Sequence, residues 1–193
     1  MNVRQAPLIL VTGLPGTGKS TLARVLAKRY RLPLICKDSI KEPLMDVFST
    51  EDRAQSRRLS NASFTVMFSL ARDCLAAGAG LILEGNFRPG EHEAELMAIA
   101  ASVRIAQVIC RAAEPVRIAR LKARANDLSR HPGHHDADFV GEHAPPPTDI
   151  LSLTSEHFVF DTDSVRSLSD GLARLQPLLD DLDRWCQTRA ADV

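Results

Sequence analysis

The feature that most constrains this chain is a glycine-rich segment near its start, Gly13–Thr21. The segment fits the pattern G-x-x-x-x-G-K-[ST]. An apolar run, Leu8–Val11, precedes it, and a helical pattern follows it from Thr21 to Tyr30. This strand–loop–helix order is the context in which the pattern forms a P-loop rather than an accidental glycine-rich turn. The glycines run G-x-x-G-x-G, which also distinguishes the segment from the dinucleotide-binding fingerprint.

A P-loop binds phosphate through its backbone. Glycines let the N–H groups point inward, and the following helix adds the positive end of its dipole. We therefore expect a nucleoside triphosphate here. Lys19 is predicted to reach the β- and γ-phosphates, the Ser20 hydroxyl to bind Mg²⁺, and Thr21 to contact the α-phosphate. The predicted nucleotide-binding residues are Gly13, Leu14, Pro15, Gly16, Thr17, Gly18, Lys19, Ser20 and Thr21.

The composition is that of a soluble globular protein. The 193 residues, 45% of them hydrophobic and 25% charged, suit a single domain, with a lid predicted at about 120–147. Lysine plus arginine equal aspartate plus glutamate at 24 each, so we do not expect an extended nucleic acid as a partner. The four cysteines show no C-x-x-C spacing, which indicates reduced thiols in a cytoplasmic protein. We expect no signal peptide and no membrane span.

Strand-like apolar runs alternate with helical patterns along the chain. This alternation predicts an α/β fold with a parallel sheet covered by helices on both faces. The predicted strands are Leu8–Thr12, Leu32–Cys36, Leu81–Leu83, Val103–Cys110 and Phe158–Phe160. The predicted helices are Gly18–Arg29, one from near Ser39, Glu51–Ala77, Glu91–Ala101, Glu114–Leu128, and Val165–Ala190, the last broken or restarted at Pro177.

Right-handed crossovers bring the carboxyl ends of all these strands to one edge of the sheet, where ligands bind in open α/β folds. Asp38 follows the second strand, and we predict that it accepts the proton of an attacking hydroxyl. The alternatives are a helix N-cap or a ligand to a metal-bound water. Glu84 ends the third strand and is predicted to hold a water of the Mg²⁺ shell, the alternative being a carboxylate in an ordinary turn.

Two arginines on the helix that enters the lid complete the predicted catalytic set of Lys19, Asp38, Arg120 and Arg124. Arg120 and Arg124 are four residues apart and so share a helix face. Closing over the γ-phosphate, they would stabilise the charge of the transition state. The alternative is a solvated basic face paired with nearby acidic residues.

The segment Ser129–Pro147 has little periodicity and is interpreted as an irregular flap. It contains His131, His134, His135 and His143. We favour contact of these histidines with substrate or phosphate over a zinc site, because no cysteine joins them and their spacing matches no common site.

Taken together, these motifs resemble the small P-loop kinases that group with polynucleotide kinase, chloramphenicol phosphotransferase and the zeta toxins, an AAA-type ATP-binding group. The resemblance runs from Leu8 to about Asp163. Besides Gly13–Thr21 it is carried by Lys37-Asp38-Ser39-Ile40-Lys41, Leu83-Glu84-Gly85-Asn86-Phe87, Arg120-x-x-x-Arg124 and Phe160-Asp161-Thr162. It implies a five-stranded parallel sheet in the order 2-3-1-4-5, ATP and Mg²⁺ as cofactors, a catalytic base at Asp38, and Arg120 and Arg124 on the phosphates of ATP.

The resemblance also implies where the acceptor binds. Lys41 and Asn86 match positions near the acceptor, and we add Arg58 and Arg88 as further predicted substrate-binding residues. The third strand ends in Glu-Gly-Asn where polynucleotide kinases have a sequence like Asp-Thr-Asn, so we expect a different metal geometry. The expected activity is transfer of the γ-phosphate of ATP to a hydroxyl of a small molecule or a nucleotide end. Nucleoside-monophosphate and shikimate-type kinases are alternatives, and a regulatory ATPase or nucleotide switch is the alternative from another class.

Overall fold

The computed structural model describes residues 6–48, 52–100, 103–125, 127, 131, 151–153, 155–163 and 168–187. The strands are β1 (Pro7–Thr12), β2 (Leu34–Cys36), β3 (Leu81–Glu84), β4 (Arg104–Arg111) and β5 (Glu156–Asp161). The helices are α1 (Lys19–Tyr30), α2 (Lys37–Phe48), α3 (Arg53–Ala76), α4 (Glu93–Ala100), α5 (Glu114–Ala125) and α6 (Leu168–Gln187).

The five strands form one parallel sheet in the order β2-β3-β1-β4-β5, which confirms the predicted fold class. The central strands are buried on both faces, which explains why they read as continuous apolar runs. In the register, Glu84 of β3 lies beside Val11 of β1 and beside Cys36 of β2. The carboxyl ends of β1, β2 and β3 therefore meet at one edge of the sheet.

A separate apolar core covers each face of the sheet. On one face, α1 and α6 pack through Leu26, Leu182 and Trp185. On the other, Met67 of α3 and Leu96 of α4 are fully buried against the strands. The two cores hold the sheet edge rigid, which is the requirement for a precisely shaped site at the strand ends.

Two prolines lie inside helices. The predicted break at Pro177 is wrong, because α6 runs without interruption from Leu168 to Gln187. Pro43 lies within α2, which begins at Lys37, directly after β2, and so earlier than the predicted start near Ser39. A proline inside a helix costs about 3 kcal/mol. In α6 the leucines on both sides of Pro177 are buried in the core, and their packing offsets that cost.

The predicted flap falls almost entirely outside the described residues. The predicted lid, at about 120–147, begins within α5, which ends at Ala125, and beyond it only Asp127 and His131 are described before Leu151. Of the four free cysteines, Cys36 and Cys110 are buried and Cys74 and Cys186 partly buried. Within the described ranges, no helix combines the length and the apolar character that crossing a bilayer would require.

Candidate active site

The glycines of the P-loop are required by close contacts with other elements. A Cβ at Gly13, which has φ +146°, would lie 2.4 Å from the carbonyl oxygen of Cys110 in β4. A Cβ at Gly16, at φ +84°, would lie 2.9 Å from the carbonyl oxygen of Arg117 in α5. Gly18 also has positive φ and is the N-cap of α1. The loop is therefore pressed between β4 and α5, and its shape is one that side chains would not allow.

Lys19, Ser20 and Glu84 form a compact group at the carboxyl edge of the sheet. The Ser20 hydroxyl donates a hydrogen bond of 3.1 Å to Glu84 Oε1, and Lys19 Nζ lies 3.9 Å from the same oxygen. The Glu84 side chain is only 3% exposed. A buried carboxylate is tolerated there because the ammonium group and the hydroxyl compensate its charge.

The two buried cysteines flank this group. Burial raises the pKa of Cys36 to about 12, and the charge of Glu84 and a hydrogen bond to it add to the effect. Burial likewise raises the pKa of Cys110 to about 12, while the positive charge of Lys19 opposes the shift. Both thiols are therefore protonated at neutral pH and act as small apolar side chains beside Glu84.

The oxygen atoms of this group suit Mg²⁺, which prefers hydroxyl, carboxylate, water and phosphate ligands. Ser20 Oγ and Glu84 Oε1 already approach within hydrogen-bond distance. No cluster of three or more His, Cys, Asp or Glu side chains that could hold a metal ion occurs within the described residues. A single carboxylate with waters and substrate phosphates is a usual way of binding Mg²⁺, so the residues present fit this ion.

Asp38 lies in the first turn of α2, immediately beyond the end of β2. Its Oδ1 is 2.6 Å from Lys37 Nζ, and its side chain is 32% exposed, whereas that of Lys37 is 11% exposed. Because Cys36 pairs with Glu84 in the sheet, Asp38 and Glu84 follow neighbouring strand ends. The structure thus has two carboxylates at this edge, one buried on the P-loop side and one accessible.

The predicted acceptor residues occupy different environments. Lys41 is buried in α2 and donates a hydrogen bond of 2.7 Å to Ser56 Oγ of α3. Arg58, two residues beyond Ser56 in α3, is exposed. Asn86 is partly buried just after β3, while Arg88 is exposed and forms an ion pair of 3.1 Å with Glu91.

An aromatic cluster supports the loop that carries Asn86. The His92 ring lies 4.0 Å from the ring of Phe64, which in turn contacts Phe68 and Phe87. His92 Nδ1 accepts a hydrogen bond of 2.9 Å from the backbone N–H of Arg88. Burial lowers the pKa of His92, which keeps the imidazole neutral and able to accept that bond.

The arginines of α5 lie against the P-loop. Arg117 Nε donates to the carbonyl oxygen of Pro15, and Arg120 donates to that of Gly16 and to both oxygens of Thr162. Arg124, one turn further along, is partly buried. Sequence reasoning missed the contacts of Arg117 and the part played by Thr162, although the position of Thr162 directly after a strand was a usable signal.

One histidine of the predicted flap is described. His131 Nε2 lies 3.0 Å from Asp46 Oδ1 of α2, and the His131 side chain is 19% exposed. This contact links the segment after α5 to α2, the helix that also carries Asp38 and Lys41. His134, His135 and His143 lie outside the described residues.

Comparison with known proteins gives relatives that are kinases by name. Shikimate kinase from Salinispora tropica is 29% identical over 88 residues, covering 43% of this chain and 53% of that protein. Shikimate kinase from Mycobacterium avium is 30% identical over 94 residues, covering 46% and 51% respectively. The chain thus spans about half the length of the curated relatives it matches.

Solved structures extend the likeness over nearly the whole chain. A protein from Chloroflexus aurantiacus, described as a candidate kinase, superimposes with a TM-score of 0.77 at 30% identity, over 91% of this chain and 98% of that one. Shikimate kinase from Bacteroides thetaiotaomicron shares the fold, with a TM-score of 0.54 at 18% identity, over 93% and 99%. The model of the AAA domain family matches residues 8–143, more than half of the sequence. With its P-loop, its five-stranded parallel sheet and this match, the chain belongs to the AAA domain family.

Proposed function

We propose that this chain is an ATP-dependent kinase that transfers the γ-phosphate to a hydroxyl group of a small molecule or a nucleotide end. The observation that carries the proposal is the difference in burial and contacts between two carboxylates at the same sheet edge. Glu84 is buried and bound to Ser20 and Lys19, whereas Asp38, after the neighbouring strand, is accessible. A nucleotide-binding site alone needs only the first carboxylate; the second, whose side chain is 32% exposed, is within reach of an incoming alcohol.

Each residue of the site has a role in this proposal. The N–H groups of the P-loop and Lys19 hold the phosphates of ATP, and Ser20 and Glu84 hold Mg²⁺, directly or through water. The ion would neutralise phosphate charge when bound. Asp38 orients the acceptor hydroxyl and takes its proton as the oxygen attacks phosphorus. Lys37 Nζ lies 2.6 Å from Asp38 Oδ1 and fixes the position of that carboxylate at the end of β2.

Arg124 is proposed to stabilise the charge that develops on the transferring phosphoryl group. It lies at the carboxyl end of α5, four residues beyond Arg120, whose side chain is held against the P-loop. Arg124 therefore lies on the helix that contacts the P-loop, one turn beyond the residue that makes this contact. A guanidinium group suits this role because it presents several donors to phosphate oxygens in a fixed plane.

The acceptor is proposed to bind between the α2–α3 pair and the loop after β3. Lys41 and Asn86 are the inner residues of this region, and Arg58 and Arg88 are exposed at its margin. The names of the sequence relatives favour a hydroxylated small molecule over a nucleotide end. The neutral net charge of the chain agrees with this choice, because nucleic-acid binding depends on basic charge.

The proposal is tested by the substitution Asp38→Asn. A panel of hydroxylated metabolites, nucleosides and antibiotics is first screened for acceptors that increase ADP release from ATP. With the best acceptor, we expect Asp38→Asn to lower the rate by about a hundredfold or more, since a general base contributes 10²–10⁴-fold, while ATP affinity is retained. The matched control is Asp73→Asn, an exposed aspartate of α3, which should leave both values unchanged.

One result would contradict the kinase assignment, and another would contradict only the role of Asp38 as the base. One is slow ATP hydrolysis that no acceptor stimulates and that Asp38→Asn does not alter, which is the behaviour of a regulatory ATPase. The other is acceptor-dependent transfer at an unchanged rate in Asp38→Asn, which would show that Asp38 is not the general base.

A further inference from the structure

Three consecutive carbonyl oxygens of the P-loop accept hydrogen bonds from side chains outside the loop. The donors belong to α5 and to the residue that follows β5, so two distant parts of the chain meet at the outer surface of the loop. The pairs are Pro15 O with Arg117 Nε at 3.1 Å, Gly16 O with Arg120 Nη1 at 3.2 Å, and Thr17 O with Thr162 Oγ1 at 2.9 Å.

The direction of a carbonyl fixes the direction of the N–H that follows it. In a planar trans peptide the C=O and the next N–H point to opposite sides. Because the Thr17 oxygen is directed outward to Thr162, the N–H of Gly18 is turned to the inner side of the loop. Gly18 is the N-cap of α1, so this N–H belongs to the positive end of that helix. A side chain that holds the Thr17 carbonyl therefore determines where a phosphate-binding donor points.

Thr162 is held firmly enough to do this. It is 6% exposed, and its backbone N–H donates a bond of 2.9 Å to Arg111 O of β4. Its hydroxyl has one proton, which the shorter contact assigns to Thr17 O at 2.9 Å over Arg111 O at 3.2 Å. The methyl group lies 3.8 Å from where a Cβ of Gly18 would be, so the loop packs directly on this side chain.

Arg120 fixes Thr162 in turn. Its Nη1 donates to the Thr162 hydroxyl at 2.8 Å, and its Nη2 donates to the Thr162 carbonyl oxygen at 2.7 Å. Because the guanidinium group is charged, the hydroxyl that accepts from it becomes a better donor toward Thr17. The planar fork of an arginine is the side chain that spans both oxygens of one residue.

We propose that Thr162 is a positioning residue of the phosphate-binding loop, which acts through the Thr17 carbonyl and is oriented by Arg120. The inference rests on the proposed binding of nucleotide at the loop. It assigns Arg120 to the outer side of the loop, where it shapes the site for phosphate, and leaves contact with the transferring phosphoryl group to Arg124.

The test is Thr162→Val, which removes the hydroxyl and keeps the shape of the side chain. Titration calorimetry measures the affinities for MgADP and for adenosine. We expect the variant to bind MgADP about tenfold more weakly, as expected for a buried carbonyl that loses its donor, while the affinity for adenosine stays the same. Thr162→Ser, which keeps the hydroxyl, should restore wild-type affinity. Thr65→Val is the matched control. Thr65 is exposed on α3, and its hydroxyl donates to the carbonyl oxygen of Asn61 in the same helix at 3.3 Å.

The amide of Gly18 provides a second readout that a general loss of stability would not mimic. In ¹⁵N-labelled protein, MgADP should shift the Gly18 resonance strongly in the wild type and in Thr162→Ser, and less in Thr162→Val. If Thr162→Val does not fold, Arg120→Lys carries the test, since lysine keeps the charge but cannot bridge both oxygens of Thr162.

The outcomes separate this inference from the proposed function. Wild-type protein that binds no MgADP would refute the nucleotide site itself. Wild-type protein that binds MgADP, together with a folded Thr162→Val or Arg120→Lys of equal affinity, would overturn the positioning role alone. An equal loss of affinity for adenosine and for MgADP would also overturn it, because the effect would then not pass through the phosphates.

Discussion

His92 is a buried imidazole whose environment selects its neutral form. It is 7% exposed and packs among Phe64, Phe68 and Phe87. Burial lowers its pKa from the usual value of 6.5; the charge of Glu91 opposes this shift and that of Arg88 adds to it. The Nδ1 atom must be unprotonated to accept the N–H of Arg88. The ring therefore supports the loop after β3 only while it is neutral.

We predict that His92 makes the folded protein less stable as the pH falls. Its pKa is lower in the folded than in the unfolded chain, so below about pH 6.5 the unfolded chain binds more protons and is favoured. Urea unfolding followed between about pH 7.5 and pH 5.5 measures this effect. In His92→Asn, whose amide oxygen can still accept the Arg88 N–H, the loss of stability over this range should be smaller.

The control for this prediction is His157→Asn, which replaces an exposed histidine of β5. The stability of this variant should change with pH as that of the wild type does. Parallel pH profiles for wild type and His92→Asn would show that His92 does not titrate differently in the folded state.

Residues of the site could be predicted from sequence where a motif states their chemistry. Lys19 and Ser20 were predicted from the P-loop pattern and Glu84 from its place at a strand end, and the three side chains do meet. Thr162 ends the Phe160-Asp161-Thr162 motif and follows a strand, but neither feature states its role, because its effect depends on which carbonyl its hydroxyl reaches across the sheet edge. Contacts of this kind are set by tertiary packing, which local patterns do not encode.

At the scale of elements, α6 is a helix that keeps a proline in its interior. Leu175 lies before Pro177 and Leu178, Leu179 and Leu182 after it, and all four leucines are buried. The proline itself is exposed, so it contributes little to this packing. It removes the backbone hydrogen bond that residue 177 would donate to Ala173 in a regular helix.

We predict that Pro177→Ala stabilises the protein. Alanine restores the missing donor and is favoured over proline in a helix interior by up to about 3 kcal/mol. At roughly 2–4 °C per kcal/mol for a chain of this size, the melting temperature should rise by several degrees. Pro89→Ala, outside the helices, is the control and should show no such rise. A lower melting temperature for Pro177→Ala would mean that the proline ring supports the packing of α6 on β5.

The helices also show why periodicity predicts an element more reliably than its buried face. The apolar residues of α3 at helical spacing include Val66 and Leu70 as well as Met67, but the side chains of Val66 and Leu70 are 41% and 43% exposed. Phe64 and Phe68 are buried instead, against Phe87 and His92. Helical spacing is therefore compatible with burial of either set of side chains. The set that is buried is the one that packs against the loop after β3.

At the scale of the whole molecule, the candidate site is built from segments spread over most of the chain. Gly13–Thr21, Asp38, Glu84, Arg120 and Thr162 come from the ends of four strands and from α5. None of these segments forms the site alone, and all of them except Arg120 lie at the carboxyl ends of strands of one sheet. Unfolding any part of the sheet would therefore dismantle the site, and a ligand that binds there must stabilise the whole fold.

We predict that MgADP raises the melting temperature and that the rise depends on Glu84. At a hundredfold excess over its dissociation constant, a ligand adds about 2.7 kcal/mol of stability. This corresponds to a shift of roughly 5–10 °C for a chain of this size. Replacing Mg²⁺ by EDTA should reduce the shift, because Ser20 and Glu84 are proposed to hold the ion with the phosphates. In Glu84→Gln, the rise in melting temperature with Mg²⁺ should be no larger than the rise that the wild type shows in EDTA.

Glu95→Gln is the matched control for this substitution, because Glu95 forms its ion pair with Arg72 at the surface of the protein, 2.9 Å away. It should retain the full difference between Mg²⁺ and EDTA. An equal shift in the two buffers for the wild type would show that the metal is not bound with the nucleotide. A Glu84→Gln protein that keeps the Mg²⁺-dependent part would instead place the ion on other ligands, since the buried carboxylate beside Ser20 is the one on which this prediction depends.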